Sequence, residues 1–383
     1  MSTRALSILF VGDYPPDATL GSPKVFYQLQ SEFRALGHRC DIVFGPEIGG
    51  TGYRQIRQLT SPWRAGNAIV RRLEAGAYDV VDAASAEGLF FGILKKFGIY
   101  RNIAYICRSN GLEQLNYRRM LDDALEGIGR KPWTRRLWYP ASRLSQVAAA
   151  AHLADRLLLL NERDREYALE HGWQQPDRID VIPHGMSEAF LGADPGPDAP
   201  RGEGLLFCGS WDQVKGIHYL VQAFSRIHAA SPAQRLTVLG PGVPSDHVLR
   251  AFPEGLRRHI RVVERGGEDT VIRAFQTHDV LLWPSTYEGF GLVLIEALSQ
   301  RLAVVATPVG CAATVLRDGV NGVLVPARDG AAMAEAALRL MNDAVLRRRL
   351  GCEARRSVLG ASWRACAEQT LNCYRAALPR TAA

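Results

Sequence analysis

Two glutamates eight residues apart, Glu288 and Glu296, are the side chains whose type and spacing most clearly suggest chemistry. They belong to the stretch Trp283-Pro-Ser-Thr-Tyr-Glu-Gly-Phe-Gly-Leu-Val-Leu-Ile-Glu296, which predicts a buried strand, a glycine-containing loop and an apolar helix. Carboxylates accept hydrogen bonds from sugar or ribose hydroxyls, and these two could face one extended ligand. Because an unpaired charge inside an apolar helix is costly, we favour a binding role over a solvated one for Glu296.

The loop between the two glutamates contains Gly289 and Gly291. Glycines at this place allow the backbone to approach a ligand closely. The N-terminus of the following helix offers unpaired N–H groups and the positive end of the helix dipole, which suit a diphosphate.

A second strand–loop–helix pattern, residues 205–216, contains Lys215, one of five lysines in the chain. An ammonium group at a helix start can reach a pyrophosphate as a point charge, although a lysine there is more often merely solvated. No Asp-x-Asp pair occurs in the sequence, and transferases that hold a donor through a divalent metal commonly need such a pair. We therefore expect no metal and no cofactor, with Lys215 and helix amides meeting the charge of a diphosphate.

Short apolar runs alternate with amphipathic segments along the whole chain, which predicts parallel sheets covered by helices on both faces. The predicted strands are Leu6–Val11, Arg39–Phe44, Val80–Val81, Ile103–Ile106, Arg156–Leu160, Ile179–Ile182, Leu205–Cys208, Arg235–Leu239, Ile260–Val263, Val280–Trp283, Ala303–Ala306 and Val323–Val325. Because ligands of open parallel sheets bind beyond the carboxyl ends of the strands, the chemistry should lie in the loops that follow them.

With 383 residues, the chain is long enough for two domains with separate cores. The Gly- and Pro-rich stretch 191–204 interrupts the alternation, and the alternation then restarts. We predict an α/β protein of two doubly wound, Rossmann-like domains facing a cleft, over 1–185 and 205–365. Residues 186–204 are the predicted linker, and 366–383 the predicted final helix, returning to the first domain.

The net charge of +7 favours anionic partners, but no nucleic-acid module is recognisable. No apolar run approaches the ~20 residues that span a bilayer. We expect the first eleven residues to form a buried strand rather than a signal peptide. Seven cysteines without a Cys-x-x-Cys pair indicate reduced thiols, so we expect a cytoplasmic protein.

One segment, residues 117–143, leaves two interpretations open. It combines Trp133, Trp138 and Tyr139 with seven basic residues: Arg118, Arg119, Arg130, Lys131, Arg135, Arg136 and Arg143. Such a mixture suits peripheral contact with the inner membrane face or a lipid-linked anionic acceptor. A solvated helical hairpin whose aromatic side chains pack on the core explains it slightly better.

Taken together, the motifs resemble those of glycosyltransferase family 4, retaining enzymes with the GT-B fold. Glu288–Glu296 resembles the family's E-x7-E motif, and Gly209–Gly216 resembles its G-R-L-x-x-x-K-G segment. Further similar segments are Val181–Gly185, Thr307–Gly310, Asp318–Pro326, Tyr14–Pro16, Gly21 and Leu36–His38.

The resemblance implies transfer of a sugar from a nucleotide-diphosphate donor to an acceptor with retained anomeric configuration, in glycan, glycolipid or polysaccharide biosynthesis. The donor would bind the second domain and the acceptor the first. Lys215 would bind the diphosphate, Glu288 the transferred sugar and Glu296 the ribose. The remaining implied donor-site residues are Gly21, Ser210, Gly289, Phe290, Gly291, Leu292 and Val293.

Three departures from the family pattern concern the ligands. Ser210 stands where the family often has Arg, which removes one positive contact to the diphosphate. Asn110, followed by Gly111, stands where the family often has His; asparagine can donate to a sugar hydroxyl but takes no proton at neutral pH. The acid often found after T-x-x-G-G is replaced around Cys311–Thr314.

These departures keep other functions open: a catalytically decayed nucleotide-sugar-binding scaffold, or a nucleotide-sugar epimerase or phosphorylase on the same fold. A dehydrogenase is disfavoured, because no strand is followed by Gly-x-Gly-x-x-Gly.

Overall fold

The computed structural model describes residues 4–18, 20–50, 54–129, 136 and 138–379. Contacts divide the chain into two compact units. Unit 1 comprises Met1–His184 and Trp363–Ala383, and unit 2 comprises Gly185–Ser362. Within the described ranges, no helix is both long and apolar enough to cross a membrane.

Twelve strands form the framework of the described chain. They are β1 Ser7–Val11, β2 Arg39–Val43, β3 Val80–Ala84, β4 Ala104–Arg108, β5 Arg156–Leu159, β6 Ile179–Val181, β7 Leu205–Cys208, β8 Leu236–Leu239, β9 Ile260–Val263, β10 Val280–Trp283, β11 Ala303–Ala306 and β12 Val323–Leu324. Each of the twelve overlaps a strand predicted from the apolar runs.

Helices connect these strands. They are α1 Gly21–Ala35, α2 Gly45–Ile48, α3 Arg54–Ala75, α4 Leu89–Lys96, α5 Glu113–Leu125, α6 Ser145–Leu153, α7 Glu162–Glu170, α8 Glu188–Gly192, α9 Ile217–Ala230, α10 Ser245–Arg250, α11 Glu268–Thr277, α12 Leu292–Ser299, α13 Ala312–Val315, α14 Gly330–Asn342, α15 Ala344–Val358 and α16 Trp363–Ala377. A π-helical turn, Pro140–Leu144, precedes α6, and 3₁₀ turns lie at Pro176–Arg178, Gln213–Lys215 and Glu254–His259.

Each unit is built on one six-stranded parallel sheet. The strand order is β2-β1-β3-β4-β5-β6 in unit 1 and β12-β11-β10-β7-β8-β9 in unit 2. The order reverses between β1 and β3 and again between β7 and β10, as in doubly wound sheets. The predicted fold class, two doubly wound α/β units, is confirmed.

The strands are mainly apolar because helices cover both faces of a parallel sheet. All five residues of β4 are buried, as are all four of β10 and β11. In unit 2 the core includes Phe207, Phe224 and Leu282, each at most 2% exposed. This rigid framework fixes where the loops at the strand ends begin.

The final helix, α16, is part of unit 1 and packs against α1 and β4. Its Tyr374 hydroxyl donates to Asp82 Oδ2 over 2.6 Å, and Arg108 forms an ion pair with the same carboxylate. All three side chains are fully buried. The buried contact of Tyr374 with the Asp82–Arg108 ion pair therefore holds α16 against the middle of the unit 1 sheet.

Residues 186–204, the predicted linker, lie within unit 2 and are held by it. Phe190 of α8 is 1% exposed, and Asp194 accepts hydrogen bonds from Arg301. Arg201 donates to the backbone carbonyls of three residues farther along the chain. Composition does not reveal these long-range arginine contacts, which make the segment part of a packed domain.

Candidate active site

Two loops of unit 2 meet beyond the carboxyl ends of neighbouring parallel strands. β7 is followed by residues 209–216 and β10 by residues 284–291, and these strands are hydrogen-bonded to each other. The Thr286 amide donates to the Val214 carbonyl over 2.9 Å, which joins the loops directly. The arrangement places side chains from distant parts of the sequence at one sheet edge, where such folds bind ligands.

The Lys215 ammonium lies against Glu288 at this edge. Lys215 Nζ donates to Glu288 Oε1 at 2.7 Å and to Oε2 at 2.9 Å. The Glu288 side chain is 8% exposed and that of Lys215 is 27% exposed, so only the lysine remains accessible to solvent. Lys215 ends a 3₁₀ turn two residues before α9, rather than lying inside the helix as predicted.

Two further residues fix the Glu288 carboxylate and its loop. Ser285 Oγ donates to Glu288 Oε1 over 2.7 Å. Thr307, which follows β11, donates to the Ser285 carbonyl over 2.5 Å. The sequence reasoning assigned no role to Ser285; its only local signal is its position three residues before Glu288 in a loop after a strand.

Two glycines have no substitute in this packing. Gly216 has φ +69°, and an added Cβ would lie 1.9 Å from the Pro284 carbonyl oxygen. Gly310 has φ +52°, and its Cβ would lie 2.6 Å from that of Glu288. The left-handed backbone and the close contacts both require glycine at Gly216 and Gly310. A larger residue at either position would push the contacting loops apart.

Glu296 lies inside α12 and is 7% exposed. It is close enough to Cys208, at the end of β7, to affect that thiol. Burial raises the pKa of Cys208 to about 12; the Glu296 carboxylate adds to the rise and Lys215 opposes it. The two glutamates and the lysine therefore belong to one neighbourhood, in which the thiol stays protonated.

The start of α12 is the other feature of this edge. Gly291, with φ +99°, is its N-cap, and no side chain caps the helix. Phe290 is buried, whereas Gly289, Leu292 and Val293 are half-buried. The predicted binding of a diphosphate by first-turn amides of α12 stays a prediction.

Ser210 lies at the other end of the 209–216 loop, half-buried, and its carbonyl accepts from the Asp212 amide. Asp212 caps the 3₁₀ turn that ends at Lys215. Ser210 is therefore near the start of the segment that positions the lysine, and its predicted role in donor binding stays a prediction.

The remaining predicted ligand residues lie in unit 1. Gly21 is the first residue of α1 and is exposed. Asn110 and Gly111 follow β4; Asn110 Nδ2 donates to the Tyr14 hydroxyl over 3.1 Å, and Gly111 has φ +121°. Burial, with help from Glu87, raises the pKa of Tyr14, so its hydroxyl keeps its proton.

An ionic cluster that sequence reasoning missed lies at the same edge of unit 1. Arg143 bridges Glu87 at 3.1 Å and Glu113 at 2.8 Å, and Ser85 donates to Glu113. Burial raises the pKa of Glu87. Burial acts in the same direction on Glu113, but the Arg143 guanidinium holds the pKa of Glu113 below its usual value. Ser85 has φ +53°, unusual for a residue other than glycine, which marks this edge as a second site candidate.

The cluster changes the interpretation of residues 117–143. Arg143 and Tyr139 are buried, Arg119 pairs with Asp123, and Arg118 lies over the Tyr167 ring. Arg136 is exposed. Arg130, Lys131, Trp133 and Arg135 lie outside the described residues. Arg119, Tyr139 and Arg143 thus pack internally, whereas Arg118 is exposed like Arg136. Membrane contact through this segment stays a prediction.

Across the described ranges, no group of three or more His, Cys, Asp or Glu side chains could hold a metal ion. The expectation that no metal or cofactor takes part stays a prediction.

The geometry of unit 2 agrees with a comparison with known families. Residues 202–343 match the family model described as glycosyl transferases group 1. This part of unit 2 is similar to that family. The matched range contains both loops, Lys215, both glutamates and α12, and the predicted resemblance to glycosyltransferase family 4 is confirmed.

Curated relatives of this chain carry the same class of name. The D-inositol 3-phosphate glycosyltransferase of Nocardia farcinica is 30% identical over 276 residues, which cover 67% of this chain and 57% of the relative. The chain spans less than two thirds of the length of the first curated relatives it matches.

Solved structures show the same fold. Sucrose-phosphate synthase from Thermosynechococcus elongatus matches with a TM-score of 0.75 and 21% identity, covering 97% of this chain and 98% of its own. HepE of Anabaena in complex with UDP-glucose matches with a TM-score of 0.68 and 15% identity, covering 96% and 98%. The predicted GT-B architecture is confirmed.

Proposed function

We propose that this chain is a retaining glycosyltransferase that moves a sugar from a nucleotide-diphosphate donor to an acceptor in glycan, glycolipid or polysaccharide biosynthesis. The observation that carries the proposal is the contact between Lys215 and Glu288 beside the uncapped start of α12. A cation and helix amides suit a diphosphate, and an adjacent carboxylate suits sugar hydroxyls.

The 2.7 Å contact between Lys215 and Glu288 links their proposed roles. A donor whose diphosphate lies at the exposed side of the ammonium has its sugar beside the carboxylate. Ser285 orients that carboxylate, and Glu296, farther along α12, accepts from the ribose hydroxyls. UDP-glucose bound to the structurally similar HepE supports a donor of this chemical class.

The bond that breaks joins the anomeric carbon of the sugar to the diphosphate oxygen. Positive charge grows on the sugar ring and negative charge on the leaving diphosphate, which Lys215 and the first amides of α12 stabilise. The acceptor hydroxyl oxygen bonds to the anomeric carbon on the same face, and a diphosphate oxygen takes its proton. No protein base is required in this sequence of events.

The acceptor is proposed to bind unit 1, where Asn110 and the Glu87–Arg143–Glu113 cluster lie beyond the strands. Asn110 can donate to or accept from an acceptor hydroxyl. The inositol phosphate in the name of the Nocardia relative makes a polyhydroxylated acceptor the first class to test.

Hydrolysis of nucleotide sugars without acceptor tests the proposal. We expect Lys215→Ala to reduce turnover at least about a hundredfold, as loss of a charge-stabilising donor does elsewhere, while circular dichroism shows a folded chain. Lys96→Ala, an exposed lysine of α4, is the matched control. Equal turnover in the wild type and Lys215→Ala would contradict the assignment, and absence of turnover with any nucleotide sugar would favour the decayed scaffold.

A further inference from the structure

One face of unit 1 exposes an unusual number of large apolar side chains. On α3, Ile56, Leu59 and Trp63 are exposed, and on α4 and just after it, Ile93 and Phe97 are exposed. Trp63 is 58% exposed and Phe97 is 79% exposed. We call this surface the α3–α4 face.

The spacing of these residues shows that they form two rows rather than isolated positions. Ile56, Leu59 and Trp63 are separated by three and four residues, so they share one side of α3. Ile93 and Phe97 continue in the same way from Phe90 on α4. Each row spans about 10 Å of helix.

The two rows are joined where the helices touch. The Trp63 and Phe90 ring centroids are 4.2 Å apart. A Cβ added to Gly66 would lie 2.2 Å from the Phe90 ring, so α3 and α4 are in direct contact at this level. The Trp63–Phe90 contact thus joins the two rows, so these exposed apolar side chains lie on two touching helices rather than singly.

The charges around this surface are mainly positive, and two of its cations are paired: Arg72 with Glu47 and Lys95 with Asp155. Residues 54–73 and 88–103 contain eight basic residues and no acidic residue. Arg57, Lys96 and Arg101 are exposed, and neither they nor Arg64 form an ion pair within the described ranges. Basic side chains flanking exposed Trp, Phe and Ile match the chemistry of an anionic lipid surface.

We propose that the α3–α4 face binds an anionic lipid bilayer, with the apolar rows entering the headgroup region and the flanking cations contacting lipid phosphates. This surface differs from residues 117–143, where Arg119 and Arg143 form ion pairs inside the protein. It places unit 1 against a membrane and suits an acceptor that is itself a lipid or lipid-linked. Membrane binding of this kind does not depend on the proposed transfer reaction.

Vesicle sedimentation with the full chain tests the proposal. The wild type should pellet with vesicles of phosphatidylcholine and phosphatidylglycerol, and much less with phosphatidylcholine alone. Arg57→Glu with Lys96→Glu should weaken binding at least about tenfold, because two cations become anions. Ile56→Ser with Phe97→Ser should also weaken it, because the apolar contact is lost.

Control variants in unit 2 test whether vesicle binding depends on the α3–α4 face or on any exposed apolar or charged residue. Val345→Ser with Leu359→Ser removes exposed apolar side chains from unit 2, and Arg317→Glu reverses an exposed charge there. These controls should bind vesicles like the wild type. Equal pelleting of all variants, or none by the wild type, would overturn the proposal.

Two further readouts keep the result specific. If analytical ultracentrifugation shows a dimer that Ile56→Ser with Phe97→Ser dissociates, the face joins two copies of this chain and the lipid proposal is wrong. Donor hydrolysis in vesicle-free buffer should be unchanged in all these variants. If a variant loses vesicle binding but keeps hydrolysis, the proposed function is unaffected. If the wild type binds vesicles but hydrolyses no donor, the lipid site is unaffected.

Discussion

The Lys215 ammonium neutralises a carboxylate that is almost completely shielded from water. An uncompensated carboxylate in such a place is costly, so the pair also stabilises the joined loops in the absence of a ligand. The lysine side chain is still 27% exposed, which leaves it able to contact a donor. The same residue thus serves the packing of the loops and, in the proposed reaction, the leaving group.

Gly216→Ala is predicted to damage this arrangement more than any other single methyl addition in the 209–216 loop. The new Cβ would lie 1.9 Å from the Pro284 carbonyl oxygen, at a φ of +69°. Strain and displacement of the Glu288 loop should lower the free energy of unfolding by about 2–4 kcal/mol. Differential scanning calorimetry measures the shift.

Gly255→Ala is the matched control, because no atom lies within 4 Å of the added Cβ and φ is not in the left-handed region. It should change stability by no more than about 0.5 kcal/mol. Equal melting temperatures of the two variants would show that the two loops move apart without cost.

The individual charged residues of the site could be identified from the sequence, but the residues that hold them in place could not. Glu288, Glu296 and Lys215 stand out by type and position, and the structure gathers all three at one sheet edge. Ser285 and the buried Arg143 cluster could not be found in this way, because their partners are brought to them by packing. Arg143 even suggested a surface role, since sequence alone does not show that two glutamates surround it.

Among the elements, α16 shows how a terminal helix is fixed to a sheet. Tyr374 reaches a carboxylate on β3 that also pairs with Arg108 on β4. Because neither charge is exposed, the hydroxyl satisfies an oxygen that water cannot reach. The helix is thereby tied to two central strands of unit 1.

Tyr374→Phe removes only the hydroxyl and keeps the ring in place. Hydrogen bonds to charged groups contribute about 1.5–3 kcal/mol, so the free energy of local opening of α16 should fall by about 2 kcal/mol. Hydrogen–deuterium exchange of peptides from residues 363–377 measures this change. Tyr27→Phe, whose hydroxyl makes no hydrogen bond in the described part of the chain, is the control, and unchanged exchange in Tyr374→Phe would contradict this role.

The elements themselves were largely predictable, because buried parallel strands are continuous apolar runs. The exceptions have a physical reason. β3 was predicted as Val80–Val81 alone, since Asp82 interrupts the apolar run, yet the strand continues to Ala84 because Asp82 is paired inside the sheet. A buried ion pair between strands is invisible in a local pattern.

For the molecule as a whole, one buried acid makes stability depend on pH. Asp164, in the first turn of α7, is 1% exposed, and burial raises its pKa from 3.8 to about 7. A carboxyl whose pKa is higher in the folded than in the unfolded state favours folding while it is protonated. Its contribution is therefore present at low pH and is lost as the pH rises through about 7.

Asp164→Asn should remove this dependence. Relative to the wild type, the variant should gain about 2 kcal/mol in unfolding free energy between pH 5.5 and pH 8.5. Urea denaturation at the two pH values measures the difference. Asp269→Asn, a change in an exposed acid in unit 2, provides the control. A difference between Asp164→Asn and wild type that does not change with pH would contradict the buried-acid account.

The two units can be tested together through the donor. Each unit has a doubly wound sheet with polar residues at its carboxyl edge, but only unit 2 contains the Lys215–Glu288 pair and the start of α12. If the proposed donor site is correct, the donor's diphosphate must therefore contact unit 2.

A thermal-shift panel of UDP-, GDP- and ADP-sugars with wild type, Lys215→Ala and Lys96→Ala tests this most directly, because a ligand of the folded state raises the melting temperature. The account predicts that at least one donor stabilises the wild type and Lys96→Ala, with the shift lost or strongly reduced in Lys215→Ala. A shift of equal size in Lys215→Ala would contradict it.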